Sequence, residues 1–133
     1  MQPKALIKDI MLVEDNKLNQ RLMESSLKKF GFRIHVANNG QEAVEMYKKD
    51  PKRYDLIIMD IMMPVMDGFE ATRHIRIYEQ KIQNRVPIIA LTANTFDADR
   101  ERCLSQGMDE YIAKPLDMNK LTRAFHELGL TEK

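Results

Sequence analysis

The sequence predicts an α/β protein: five strand–helix units forming a doubly wound parallel sheet, (βα)5. Three observations predict it. Short apolar runs alternate along the chain with longer stretches of helical period. The runs at Ile10, Leu56 and Ile88 are continuously apolar rather than alternating, as expected of parallel strands covered on both faces. At 133 residues the chain has the length of one domain and can bury a real core.

The first run, Ile10-Met11-Leu12-Val13, precedes a helical stretch over Lys17–Phe30. There Leu18, Leu22, Leu27 and Phe30 fall near one face, and Gly31 supplies a C′ stop. The second strand, Arg33 to Ala37, leads to a helix over Gln41–Lys49 that offers Ala43, Val44 and Tyr47. The third, Leu56 to Met59, precedes a helix from Phe69 to about Ile82 carrying Ile75, Tyr78 and Ile82. Pro87 to Leu91 is the fourth strand, with a helix over Asp97–Gln106 ended by Gly107. Tyr111-Ile112-Ala113 is the fifth, and Asp117 is suited to N-cap a last helix reaching Leu128. Five strands, each with its own helix after it, form a doubly wound sheet.

Composition excludes several classes of function. An apolar fraction of 44% with 31% charged residues is ordinary for a soluble globular protein. With a net charge of +1, no global field draws the chain to nucleic acid or to a membrane. The lone Cys103 rules out an intramolecular disulfide and fits a reducing compartment. No apolar stretch approaches the roughly 18 residues of a membrane span. Met1 to Ile10, with Lys4, Lys8 and Asp9, lacks the apolar segment of a signal peptide. A cytoplasmic location is therefore expected. Met1 stands a short lead ahead of the first strand, which favours a whole gene product over an excised piece.

The polar residues at the ends of these runs carry the function. In open α/β sheets, ligands bind outside the carboxyl ends of the strands. Glu14 and Asp15 come after Val13, Asp60 after Met59, Thr92 after Leu91 and Lys114 after Ala113. Taken singly, each has a plainer role. Asp15 or Asn16 could N-cap the first helix, Asp60 could form a turn, Thr92 a cap, and Lys114 could be solvated. Taken together, three carboxylates, a hydroxyl and an ammonium would face one crevice. Clustered carboxylates raise one another's pKa unless a cation lies among them, and hard oxygen ligands favour Mg²⁺ or Ca²⁺. Mg²⁺ commonly adds a phosphate oxygen to its one or two carboxylates. Asp60 as nucleophile, Lys114 as a second positive charge and Thr92 as a donor would suit phosphoryl transfer.

At these residues the sequence resembles a response-regulator receiver domain. The resemblance runs from about Lys8 to Leu128 and rests on "LVEDN" (Leu12–Asn16), "DIMMPVMDG" (Asp60–Gly68), "ALTAN" (Ala90–Asn94) and "GMDEYIAKP" (Gly107–Pro115). It implies a single receiver domain over residues 1–133 with its core from about 8 to 128, and a flavodoxin-like strand order 2-1-3-4-5. It also implies residue roles. Asp60 is the phosphoacceptor; Asp15 and Asp60 bind Mg²⁺ directly with the backbone carbonyl of Met62, Glu14 helps through water, and Mn²⁺ can substitute. Lys114 pairs with the phosphoryl group, and the Lys114–Pro115 bond is expected to be cis. Thr92 and Tyr111 are the switch pair, remodelling the face made by the fourth helix, fifth strand and fifth helix. Met63-Pro64 and Gly68 shape the loop around the metal, while Met62 and Asn94 tune phosphate lifetime.

"EDNKLNQ" (Glu14–Gln20), together with Met62 and Asn94, resembles receivers of hybrid kinases and phosphorelays. That implies a histidine kinase or histidine phosphotransfer domain as partner, docking around Asn16, Leu18, Asn19, Pro115 and Leu116. It also implies a monomer or a phosphorylation-dependent homodimer, with a downstream protein partner and no direct contact with nucleic acid or membrane. On helical period alone, Leu18 could equally be core. His35, His74 and His126 show no ligand spacing, so the donor histidine should lie on another protein or domain. Cys103 is expected to be a small buried residue, and Met63 and Met66 flexible core filler.

Two rival functions fit the residues less well. Phosphatases with an aspartyl nucleophile resemble this fold but carry a second Asp two residues later as general acid. Here that position is Met62, which cannot transfer a proton. A phosphorylation-independent binding module predicts missing acidic, Thr or Lys positions, and none is missing.

Overall fold

The computed structural model describes residues 8–63, 65–93 and 97–130. Pro64 and Asn94, for which the resemblance implies loop shaping and control of phosphate lifetime, lie outside the described residues, as do Met1–Ile7. Among the described residues, β1 (Asp9–Val13), β2 (Arg33–Ala37), β3 (Leu56–Asp60), β4 (Ile88–Thr92) and β5 (Glu110–Ala113) form one sheet. All neighbouring pairs are parallel, in the order β2-β1-β3-β4-β5. Between and after them run α1 (Lys17–Lys29), α2 (Gly40–Lys49), α3 (Gly68–Ile82), α4 (Asp97–Ser105) and α5 (Met118–Glu127), with a 3₁₀ turn at Pro51–Arg53. This is the doubly wound, flavodoxin-like arrangement the sequence predicts.

The pleat divides the core. Met11, Val13, Ile57 and Met59 point to one face and pack with Ala43, Val44 and Tyr47 of α2 and Ala71 and Ile75 of α3. Ile10, Leu12, Leu56 and Ile58 point to the other, against Leu27 of α1 and Leu121, Ala124 and Phe125 of α5. Because both faces are covered, the central strands need apolar residues at every position. Cys103 belongs to the first cluster and is fully buried. Met63 is buried there too, with Met66 packed against it.

Helix starts show the expected cap chemistry. The Asp117 carboxylate accepts the Asn119 amide at 2.7 Å, Asp67 accepts Glu70 at 2.9 Å, and Asn39 accepts Glu42 at 2.8 Å. Each such cap contributes about 1 kcal/mol. No helix among the described residues is long and apolar enough to cross a membrane.

The structure corrects the sequence at two places. In α1 and at its C-cap, Leu18, Leu22 and Phe30 are 65%, 59% and 50% exposed, so the apolar stripe does not face the core apart from Leu27. The inward positions include Gln20 instead, whose amide satisfies backbone and side-chain oxygens of neighbouring loops. Helical period finds a stripe but does not say which stripe the sheet covers. At α3, no sequence pattern signals that Glu79 is buried. Its carboxylate accepts Tyr47 Oη at 2.6 Å, the Val86 amide at 2.7 Å and Arg76 Nη1 at 2.6 Å. Arg76 also donates to Val86 O, Gly107 O and Asp109 Oδ2, and Asp109 Oδ2 accepts the Ile88 amide at 2.8 Å. This ionic cluster fixes the start of β4 beside the turn that enters β5.

Candidate functional site

Parallel strands bring their carboxyl ends to one edge, and the polar residues gather there. Glu14 and Asp15 lie just past β1, and Asp60 ends the adjacent β3. One carboxylate oxygen from each of the three lies within 4.8 Å of the others. Glu14 and Asp60 are buried, 1% and 2% exposed, while Asp15 is open to solvent. Lys114 leaves β5 and reaches past the end of β4: its amide donates to Thr92 O at 2.7 Å. Its Nζ lies 2.9 Å from Asp60 Oδ2 and 3.9 Å from Glu14 Oε2. The Met62 amide donates to Asp60 Oδ1 at 3.2 Å.

Local backbone shapes the cleft. The Gly68 amide donates to Ile61 O at 2.9 Å, and a Cβ on Gly68 would fall 2.6 Å from Asp60 O and 2.9 Å from Ile61 Cα. Only glycine allows α3 to begin this close to the strand end carrying Asp60. Gly40 fits in the same way beneath the loop, its amide donating to Met66 O at 3.2 Å. Val65 holds a left-handed φ of +72°, rare for a β-branched residue, and is 81% exposed beside the similarly exposed Met62. The Lys114–Pro115 peptide is cis.

The electrostatics call for a cation. Burial pushes the Glu14 carboxyl up to about 7, and the neighbouring Asp60 carboxylate adds to the rise. The Asn19 amide and the Lys114 charge pull the other way. Glu14 Oε2 is buried and accepts no hydrogen bond from the described residues. A buried carboxylate oxygen without a hydrogen bond, in a group of three close carboxylates, belongs to an all-oxygen donor set of the kind that suits Mg²⁺.

The remaining residues singled out in the sequence fall into groups. Thr92 is buried at the same sheet edge. Tyr111, part-buried on β5, borders a groove of about 490 Å³ with Arg100, Lys120 and Arg123. Asn19, Lys114, Pro115 and Leu116 line a second groove of about 430 Å³, completed by Leu22, Met23 and Ser26 of α1. Leu18 is exposed rather than core. Asn16 N-caps α1, accepting the Asn19 amide at 2.9 Å. His74 and His126 are exposed, whereas His35 is part-buried, its Nε2 2.9 Å from Asp9 Oδ1. Sequence reasoning missed Gln20 at the site; a polar residue on the inward side of α1 was the available signal, readable only once the helix's orientation is known.

The chain matches the model of the response regulator receiver domain over residues 10–126. It is 46% identical to the hybrid signal transduction histidine kinase B of Dictyostelium discoideum, over 83% of this chain and 6% of that protein. Across the plant and Dictyostelium histidine kinases it resembles, it spans between 6% and 15% of their length. Among solved structures, it is similar to the receiver domain of the sensor histidine kinase PA1611 from Pseudomonas aeruginosa PAO1, which has a magnesium ion coordinated in the active site cleft. That match has 45% identity, a TM-score of 0.78, and covers 92% of this chain and 98% of the other. It is likewise similar to a Saccharomyces cerevisiae co-crystal structure of the histidine phosphotransfer protein Ypd1 with the receiver domain of its response regulator Ssk1. There the identity is 34%, the TM-score 0.82, and the coverage 97% of this chain and 91% of the other. With its sheet order, its acidic pocket and these matches in agreement, the chain belongs to the response regulator receiver domain family.

Proposed function

We propose that this domain takes a phosphoryl group from phosphohistidine onto Asp60 in a Mg²⁺-dependent reaction and answers by changing conformation. One observation carries the reading. One carboxylate oxygen each from Glu14, Asp15 and Asp60 lies within 4.8 Å of the others, and the Lys114 ammonium is 2.9 Å from Asp60.

Asp60 is the nucleophile. One of its carboxylate oxygens attacks phosphorus; the new O–P bond forms as the P–N bond breaks, and the electron pair leaves on the imidazole nitrogen. Lys114 holds Asp60 in place beforehand and then pairs with a phosphoryl oxygen. Asp15, Asp60 and the Met62 carbonyl would hold Mg²⁺, with Glu14 assisting, and Mn²⁺ would be able to substitute. The bound cation supplies charge neutralisation for the phosphoryl oxygens. Thr92 donates its hydroxyl to the phosphorylated site, and Tyr111 turns inward, remodelling the face of α4, β5 and α5. The Met62 side chain cannot take a proton from an attacking water, so the aspartyl phosphate is lost only slowly to water.

The donor is a histidine kinase or a histidine phosphotransfer domain. The groove of Leu22, Met23, Pro115 and Leu116 beside Lys114, together with exposed Leu18, supports docking of an apolar helix face next to Asp60. Residues 1–133 act as one receiver domain in the cytoplasm, alone or as a phosphorylation-dependent homodimer, and pass the signal to a protein partner. Intact-mass measurement tests the chemistry. With acetyl phosphate and Mg²⁺ the chain gains one phosphoryl mass, chelation of the metal prevents it, and Asp60→Asn abolishes it. Full labelling of Asp60→Asn would overturn the assignment.

A further inference from the structure

We propose that Asn19 and Gln20 are positioning residues for the cation site: they hold Glu14 by its carboxylate and its backbone carbonyl, so that Oε2 stays turned toward Lys114 within the acidic pocket. The inference rests on the Mg²⁺ reading above and gives Asn19 a task other than partner docking. The Asn16 cap fixes the first turn of α1 by accepting the Asn19 amide at 2.9 Å. From that turn, Asn19 Nδ2 donates to Glu14 Oε1 at 2.9 Å. A carboxylate can only accept, so the amide nitrogen is the atom that faces it. Gln20, buried in the next position, donates through Nε2 to Glu14 O and, at 2.9 Å, to Asn38 Oδ1.

Asn38 is itself held, accepting Lys17 Nζ at 2.7 Å and donating to Glu42 at 3.1 Å. The Glu14 amide donates to Ala37 O at 3.1 Å. Glu14 is thus gripped at its N–H, its carbonyl and Oε1. Its Oε2 has no hydrogen bond from the described residues, and it is buried, 3.9 Å from Lys114 Nζ. Buried carboxylate oxygens are ordinarily hydrogen-bonded. This one is oriented with one oxygen held and one kept for the site. Outer partners of this kind fix the direction of a carboxylate before the ion arrives, and their loss typically costs about ten- to a hundred-fold in metal affinity.

Titration calorimetry with Mg²⁺ alone on the intact chain tests this, with thermal melts in chelator to follow folding separately. Asn19→Leu is expected to weaken Mg²⁺ binding by roughly tenfold, Gln20→Leu to weaken it also, and Arg21→Ala, on the exposed side of α1, to bind as wild type. Asn19→Ala, which only deletes atoms, serves the same comparison if leucine disturbs the turn. Wild-type affinity in both Asn19 variants would overturn the positioning role while leaving the metal site intact. Absence of Mg²⁺ binding in the wild type, or full binding by Asp15→Asn, would overturn the metal reading and this inference with it.

Discussion

Replacing Arg76 with methionine tests how much of the fold hangs on one buried cation. The side chain is 13% exposed, and its guanidinium meets Glu79 Oε1 at 2.6 Å, Val86 O at 2.7 Å, Gly107 O at 2.8 Å and Asp109 Oδ2 at 2.9 Å. Methionine fills similar space but donates nothing. Asp109 keeps Arg85 at 2.6 Å and the Ile88 amide, so its loss is modest. Glu79 is only 5% exposed and retains Tyr47 and the Val86 amide on Oε2, while its Oε1 loses the Arg76 donor. Breaking a buried pair from one side costs about 3–5 kcal/mol. For a domain of this size, that is a fall in Tm of roughly 10–20 °C. Urea unfolding and calorimetry measure it. Adding Glu79→Gln to Arg76→Met removes the stranded charge yet still accepts from Tyr47 and Val86. It should therefore recover about 1–3 kcal/mol of coupling energy. A single variant within about 1 kcal/mol of wild type, or a double variant no better than the sum of its parts, would contradict this account of the cluster.

Gly68→Ala drives a methyl group against Asp60 O and Ile61 Cα, so it should cost about 1–3 kcal/mol and slow phosphorylation from acetyl phosphate; a variant matching wild type in both would show that the loop yields freely. Val65→Asn relieves a left-handed β-branched residue and should raise stability by about 1 kcal/mol in urea unfolding, with a fall counting against strain at that position. The Arg33 guanidinium, then His35, holds the Asp9 carboxyl below the usual carboxylate range against the opposing effect of burial. A lowered folded pKa means stability present above the unfolded value of 3.8 and lost as pH falls toward the folded one. Asp9→Asn should accordingly be less stable than wild type near neutrality and draw progressively toward it only as pH falls below about 4, and parallel stability curves would speak against the pairing. Lys114→Ala should bind Mg²⁺ in calorimetry yet fail to move Tyr111 resonances on phosphorylation; an unchanged response would remove Lys114 from the switch.

The sheet was legible in the sequence because a parallel strand buried on two faces must be apolar throughout, as at Ile10–Val13 and Leu56–Met59. The pocket was legible because strand ends share an edge, so Glu14, Asp60 and Lys114 could be placed together with no knowledge of strand order. Features that depend on orientation were not. Leu18 and Leu22 share the helical period of buried residues, and only docking on the sheet reveals that Gln20 turns inward while they face solvent. The partners of Glu79 are likewise distant in the fold, with Tyr47 on α2 and Val86 ahead of β4, so nothing local marks it for burial. The apolar runs stop one residue short of the strand ends at Asp60 and Thr92, because polar residues there still keep ladder register with Leu91 and Ala113.

The common direction of the strands has a practical corollary. The ionic group of Asp9, Arg33 and His35 occupies the amino-terminal rim, five residues of β1 away from Glu14, or about 16 Å at strand rise. That exceeds the distance of roughly 8 Å over which physiological salt lets exposed charges feel one another. A charge edit at the exposed Arg33 is therefore largely screened before it reaches the other pole. A fusion, label or thermostabilising charge grafted near Arg33 should leave the opposite rim's affinity for cations and phosphoryl donors untouched, giving engineers a handle insulated from the chemistry.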